Sequence, residues 1–360
     1  MLIRAPFAKL WPRADQLFCE AKDRYRPKAG FMRTETFEYF SSADGTGPLL
    51  ADIAFEADGR PKPLAVVMHG YSGCRKDVAA DIQDLAARGV AAVAPDMRGR
   101  GGSAGVWDSG GLDVHDILDA ANAAAAKYAG EVDPGKLNIV GYSGGGGNAI
   151  ACMVRFPDLF RTAVSFFGIS DYGWWHGSGG RPDCNAVMEM TLGGRPDQIP
   201  EVYEARNFIP GASNASCGRL HFFWDEEETQ CPPAMIEKWL DVHRRAGLRN
   251  AEKHVSRKGD ARRWIHAYRT VNADLRFADD IFLADILRPL EHGEGLPPRG
   301  RLFVPGYVVT RHFQVWVEDG RVGSAVVEYD LSGNAPAVRV VENPRGYSVA
   351  VRLESPTALL

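Results

Sequence analysis

The order of its apolar runs is what most constrains this chain. Short stretches that read as strands buried on both faces alternate with stretches of helical periodicity. Pro63–Met68 is followed by a helix around Ala79–Arg88. The run Val90–Ala94, a glycine-rich loop and a helix around Val114–Tyr128 come next, then Lys136–Val140, a helix around Asn148–Arg155 and Thr162–Phe167. Near-continuous apolar strands are what a parallel sheet covered on both faces requires. Strands joined through helices close almost always as right-handed crossovers, so the expected class is α/β, with a mainly parallel sheet and helices on both faces. Thr34–Phe40 and Leu49–Glu56 read as strands ahead of this core. Arg219–Trp224, a helix over Pro232–Ala246, a strand over Glu252–Arg257 and a helix over Asn272–Leu287 complete it.

The alternation pauses at residues 172–216, which show two short helical patterns and no strand. A long insertion of this kind in a compact domain is expected to act as a lid. From residue 293 the character changes. Period-two runs at His312–Glu318, Ser324–Asp330, Ala337–Val341 and Tyr347–Leu353, separated by turn signals such as Asp319-Gly320, predict a small antiparallel β module, with Gly295–Gly300 as its linker. The expected division is a lead-in over 1–33, a catalytic domain over 34–292 and the β module over 293–360. That module is also a candidate surface for self-association.

A net charge of −4 over 360 residues leaves no broad basic field, which argues against nucleic acid and anionic membrane as partners and favours a small, mostly uncharged substrate. Charged residues from Arg4 to Asp23 interrupt any signal-peptide core, and no run is long enough to span a bilayer, so a cytoplasmic protein is expected. The six cysteines form no CxxC pair and no zinc-type spacing, which predicts free thiols and no metal.

The chemistry centres on Gly141-Tyr142-Ser143-Gly144-Gly145, set between a buried strand and a helix. A serine hydroxyl is a weak nucleophile and needs a general base and an exposed perch. A glycine-flanked strand-to-helix turn supplies the perch, and the helix points unpaired N–H groups at developing negative charge. Ser143 is therefore the expected nucleophile and the Gly144 N–H one oxyanion donor. The second donor is expected from the loop after the early strand, His69-Gly70-Tyr71, at the Tyr71 N–H.

Taken in order, His69-Gly70-Tyr71-Ser72-Gly73, Pro95-Asp96-Met97-Arg98-Gly99-Arg100-Gly101-Gly102-Ser103, the Ser143 turn, Leu192–Pro196 and Tyr203–Asn207 resemble the prolyl-oligopeptidase-type and acetyl-esterase-type branch of the α/β-hydrolase superfamily. The resemblance runs over residues 34 to 290 and does not reach the β module. It implies an α/β-hydrolase fold with an acid after the seventh strand and a histidine after the eighth. The family's acid stands four residues ahead of the proline that opens the next helix, which selects Glu228, with Asp225 at the strand end as the alternative. His266 falls in the loop before the last helix, whereas His254 lies within the eighth-strand pattern, so His266 is the expected base. Trp174 and Trp175 are candidates for a substrate slot or for plain packing.

These assignments imply acyl transfer through Ser143 with no metal or organic cofactor. Peptidases of this branch generally carry a large N-terminal β-propeller, and only the residues ahead of Pro63 precede the first buried strand here. A small-molecule carboxylic ester is therefore the expected substrate. A small aminopeptidase or amidase is the alternative, and an inactive hydrolase fold used for binding is the non-enzymatic one.

Overall fold

The computed structural model describes residues 31–261, 263–266, 276–288 and 295–353. The lead-in expected for residues 1–33 and the first turn of the helix expected from Asn272 fall almost wholly outside these.

Eight strands form one sheet in the order β1-β2-β4-β3-β5-β6-β7-β8. They are β1 (Phe31–Tyr39), β2 (Leu49–Ala57), β3 (Lys62–Met68), β4 (Ala91–Pro95), β5 (Val132–Tyr142), β6 (Thr162–Phe166), β7 (Arg219–Asp225) and β8 (Ala251–Ser256). β2 runs antiparallel to β4, and from β4 through β3, β5, β6, β7 and β8 every pairing is parallel. β4 and β6 are buried along their whole length, which is why neither shows the apolar–polar alternation of a half-exposed strand.

Helices α1 (Ala79–Ala86), α2 (Asp113–Lys127), α3 (Gly144–Arg155), α7 (Pro233–Arg245) and α8 (Arg276–Leu287) are the crossovers and the closing helix. Among the helices that lie between described residues, expected and observed bounds differ most at α3, which begins at Gly144 and not near Asn148. Four successive glycines are poor helix formers and conceal the start. They are tolerated because the helix lies against backbone: a Cβ at Gly145 would collide with the His69 carbonyl oxygen.

The segment 172–216 holds α4 (Tyr172–Gly177), α5 (Pro182–Leu192), α6 (Pro200–Glu204) and a 3₁₀ turn at Pro210–Asn214. Prolines in the first turn of α5 and α6 fix where those two helices begin.

Beyond the sheet lie two three-stranded antiparallel sheets, β10-β11-β14 and β13-β12-β9, with β9 at Arg299–Pro305, β10 at Tyr307–Val309, β11 at Gln314–Val317, β12 at Ser324–Asp330, β13 at Ala337–Glu342 and β14 at Val349–Arg352. The last four match the expected runs. β9 and β10 were concealed by the Pro-Gly character of their flanks, Pro298 and Pro305-Gly306.

The chain from Met32 onward forms one compact unit. Arg155, at the end of α3, is fully buried and hydrogen-bonds the carbonyls of Gly110 (2.8 Å), Gly111 (2.7 Å), Ala205 (2.8 Å) and Pro305 (3.0 Å). Asn214 adds a second tie, donating to Phe303 O at 2.7 Å and accepting from Phe303 N at 3.0 Å. Among the described residues no helix is long and apolar enough to cross a membrane.

Candidate active site

β5 ends at Tyr142, α3 begins at Gly144, and Ser143 between them adopts φ 56° and ψ −116°. A non-glycine residue at positive φ costs about 1–3 kcal/mol and persists only where its surroundings hold it. Here the Ser143 N–H donates to Phe166 O (2.9 Å) and the Ser143 carbonyl accepts from Gly147 N (2.9 Å). The turn lifts the side chain clear of the sheet while the first-turn N–H groups of α3 have no partner within their helix.

Gly144 meets the loop after β3 directly. A Cβ there would lie 2.8 Å from Tyr71 Cα and 2.9 Å from Tyr71 N, so only glycine lets the two backbones touch. That contact brings the Tyr71 backbone against the start of α3.

The Tyr71 loop is held from beneath. Met97 N–H donates to His69 Nε2 at 3.1 Å, which requires the ring proton on Nδ1, where it is donated to Gly70 O at 2.8 Å. Burial pushes the His69 pKa down to about 4, so the ring stays neutral and can keep accepting. Arg100 Nε donates to Tyr71 O at 2.8 Å, and its guanidinium lies 3.7 Å from the Trp107 ring centroid. The Tyr71 hydroxyl meets Ser109 Oγ at 2.7 Å, and burial raises its pKa to about 12.

After β7 the two candidate acids part company. Glu228 is buried, and its Oε1 accepts from Gln230 N (2.7 Å) and Cys231 N (2.9 Å) and lies 3.0 Å from His266 Nδ1. Asp225 is bound elsewhere: Arg263 Nε donates to it at 2.8 Å, Ser256 Oγ at 2.6 Å and Glu227 N at 3.0 Å. Burial works against the Asp225 carboxylate, but Arg263 and Ser256 outweigh it and its pKa is lowered. The structure thus brings His266 to Glu228 and gives Asp225 to the strut that anchors the His266 loop. The other histidine, His254, stays within β8, its ring stacked on Phe223 at 4.3 Å.

Ser143, His266 and Tyr71 line one cleft. The His266 ring stacks on Phe167 at 4.7 Å, and Phe167, Tyr142 and Val78 supply the apolar wall. Asp77, Asp81, Arg181 and Gln230 supply the polar wall, and none of the four carries a motif in the sequence that points to it. Trp174 and Trp175 are not brought to this wall. Trp175 is buried behind it, packed on Tyr71 at 5.2 Å and donating to Gln230 O at 2.8 Å, whereas Trp174 is exposed beside Pro196 and Pro200 in a separate groove. Of the 172–216 segment, Arg181 is the residue that reaches the cleft. Cys231 Sγ stands 3.9 Å from Ser143 Oγ, but burial raises its pKa far enough to keep it a thiol.

The sheet order and the strand–Ser143–helix turn define a protein of the α/β-hydrolase fold. More narrowly, the chain belongs to the prolyl oligopeptidase family, whose pattern matches residues 76–271, and it is a serine hydrolase of the peptidase or esterase kind. It is 28% identical over 231 residues to an uncharacterized peptidase, YtmA, of Bacillus subtilis (strain 168), an overlap covering 61% of this chain and 88% of that protein. Among solved structures, the acylaminoacyl peptidase of Pyrococcus horikoshii superposes with a TM-score of 0.59 at 18% identity, over 76% of this chain and 44% of that one. A puromycin-hydrolyzing peptidase of Mycobacterium tuberculosis gives 0.58 at 20%, over 72% and 40%. The esterase Pf2001 of Pyrococcus furiosus gives 0.52 at 14%, over 71% and 92%. This chain therefore spans less than half the length of those two peptidases and matches nearly all of that esterase. Both the fold and the branch expected from the motifs are borne out.

Proposed function

We propose that the chain cleaves small carboxylic esters by two-step acyl transfer through Ser143. The observation that carries the reading is the 3.0 Å contact of His266 Nδ1 with buried Glu228, in the cleft that Ser143 enters from its strained turn. With Nδ1 turned to the acid, Nε2 is the nitrogen left to take the Ser143 proton. The serine oxygen then attacks the ester carbonyl, and the Gly144 and Tyr71 N–H groups receive the oxyanion. The proton passes from His266 to the departing alcohol, leaving an acyl-enzyme. Water, deprotonated by the same histidine, attacks that acyl group; collapse expels Ser143, which takes the proton back, and releases the carboxylic acid. Glu228 holds the ring in its orientation and stabilises its cationic form.

The match runs along 92% of a solved esterase and 44% of a solved acylaminoacyl peptidase, which supports an ester, whereas the peptidase YtmA is matched along 88% of its length and supports a peptide or amide. One observation favours a second reading, a small aminopeptidase or amidase. Asp77 and Asp81 line the cleft, where a substrate ammonium would find carboxylates.

The test is hydrolysis of short and medium p-nitrophenyl esters beside aminoacyl chromogenic amides, by wild type and Ser143→Ala, with phosphonate labelling mapped by mass spectrometry. Ester turnover that disappears in the variant, with the label on Ser143, is expected. Preference for the aminoacyl amides selects the second reading. Folded protein with neither turnover nor label refutes both.

A further inference from the structure

Outside the cleft, the β7–β8 pairing gathers a different set of side chains. His221 on β7 stands opposite Glu252 on β8, and His254 follows two residues further along β8 on the same face. His221 Nδ1 is 3.2 Å from His254 Nε2 and 4.0 Å from Glu252 Oε2, and one ligand atom from each residue lies within 4.8 Å of the others. We propose that His221, Glu252 and His254 bind a divalent transition-metal cation, zinc foremost.

Ligands held tetrahedrally at about 2.0–2.1 Å from zinc stand about 3.3 Å apart. The two imidazoles already have that spacing. The Glu252 side chain, 64% exposed, is free to close the remainder.

Behind His221 sits a carboxylate. Asp285 Oδ2, on α8, lies 2.7 Å from His221 Nε2. The Nε2 proton is therefore committed to Asp285, and the Nδ1 lone pair faces His254 and Glu252. A carboxylate behind the ligating histidine is the usual partner of a metal-bound imidazole, fixing its tautomer and orientation. A cation at the point where the His221 Nδ1 lone pair, His254 Nε2 and Glu252 Oε2 converge would be held by all three.

The surrounding charge permits it. Arg219 is paired with Asp285 at 3.3 Å, and the Arg249 guanidinium is turned to the carbonyls of Leu248 (2.7 Å) and Arg244 (3.2 Å). A recess lined by His221, Glu252 and Asn250, with the paired Arg219 and Arg249 also on its wall, opens to solvent and leaves a position for a water as fourth ligand. Histidine spacing along the sequence does not reveal the site, because its ligands come from two neighbouring strands.

The test uses the full chain stripped of metal, titrated with zinc by calorimetry and with cobalt(II) by visible absorption. One equivalent is expected, with the intense bands of four-coordinate cobalt and a zinc-dependent rise in Tm. Asp285→Asn should weaken zinc binding about 10–100-fold. His254→Phe, which preserves the stack on Phe223, should remove the cobalt bands and the Tm rise. Glu252→Gln, at an exposed position where the metal-free fold is undisturbed, should weaken binding at least about tenfold. No binding by the wild type, or equal binding by wild type, Glu252→Gln and His254→Phe, overturns the proposal. Because the readouts are binding and Tm, the outcome is independent of whether Ser143 cleaves esters.

Discussion

Replacing Glu228 by Gln removes a charge and almost nothing else. The side-chain oxygen that accepts from Gln230 N and Cys231 N can stay where it is, so the loop after β7 should keep its shape. What changes is the energy of the imidazolium that forms when His266 takes the Ser143 proton. With Nδ1 and the carboxylate oxygen 3.0 Å apart, the centres of the two charges are about 4 Å apart, and at an effective dielectric of about 20 their attraction is about 4 kcal/mol. Losing it should lower kcat/KM about 10³-fold. Asp225→Asn is the matched control, because that carboxylate serves Arg263 and Ser256. It should cost about 1–3 kcal/mol of stability while kcat/KM stays within about tenfold. The assay is p-nitrophenyl ester hydrolysis under kcat/KM conditions, with Tm measured on the same samples. The reverse ranking, a large activity loss in Asp225→Asn and a small one in Glu228→Gln, would refute the assignment of the acid.

Gly144→Ala places a methyl group against the Tyr71 backbone, which must retreat and carry its N–H away from the oxyanion position. A fall in kcat of about 10²–10³ with little change in KM is expected, and an unimpaired kcat would remove Tyr71 from the oxyanion site. His69 makes a prediction about pH. Its pKa is about 4 in the fold against 6.5 in the unfolded chain, so as pH falls below 6.5 the unfolded chain takes up a proton that the folded one refuses. The contribution of neutral His69 is full above that pH and is lost, by about 3 kcal/mol, as pH falls toward 4. Urea unfolding of wild type and His69→Gln at pH 7 and pH 4 should show the stability difference shrinking by that amount, and a constant difference would contradict the account.

The features legible in the sequence are those set by local backbone demands. The Ser143 turn announces itself because a strand, a tight corner and a helix in succession need glycine on both sides. The parallel sheet announces itself because strands covered on two faces cannot alternate. Glu228 was separated from Asp225 only through the family's spacing, and His266 from His254 because His254 falls within a strand pattern and His266 in the loop after it. Arg263, which draws Asp225 away from His266, comes from a different loop and leaves no mark near either acid. The polar wall of the cleft was illegible for the same reason: Asp77, Asp81, Arg181 and Gln230 converge from three separate segments. For Trp175 the sequence leaves a substrate slot and plain packing equally open; in the structure its indole N–H is satisfied by Gln230 O and its ring stands behind Tyr71.

Arg155 joins parts of the molecule that the sequence separates widely. It closes the helix that begins beside Ser143, and its donors are distributed over the carbonyls of the Gly110–Gly111 turn, the end of α6 and the end of β9. Removing the C-terminal strands would not simply shorten the protein. It would uncover the end of the helix that follows the nucleophile and leave a guanidinium nitrogen without its acceptor in the interior. The small β sheets are therefore a poor place to cut, graft or recombine this chain, and their inheritance should be tied to that of the catalytic core rather than exchanged as an independent cassette.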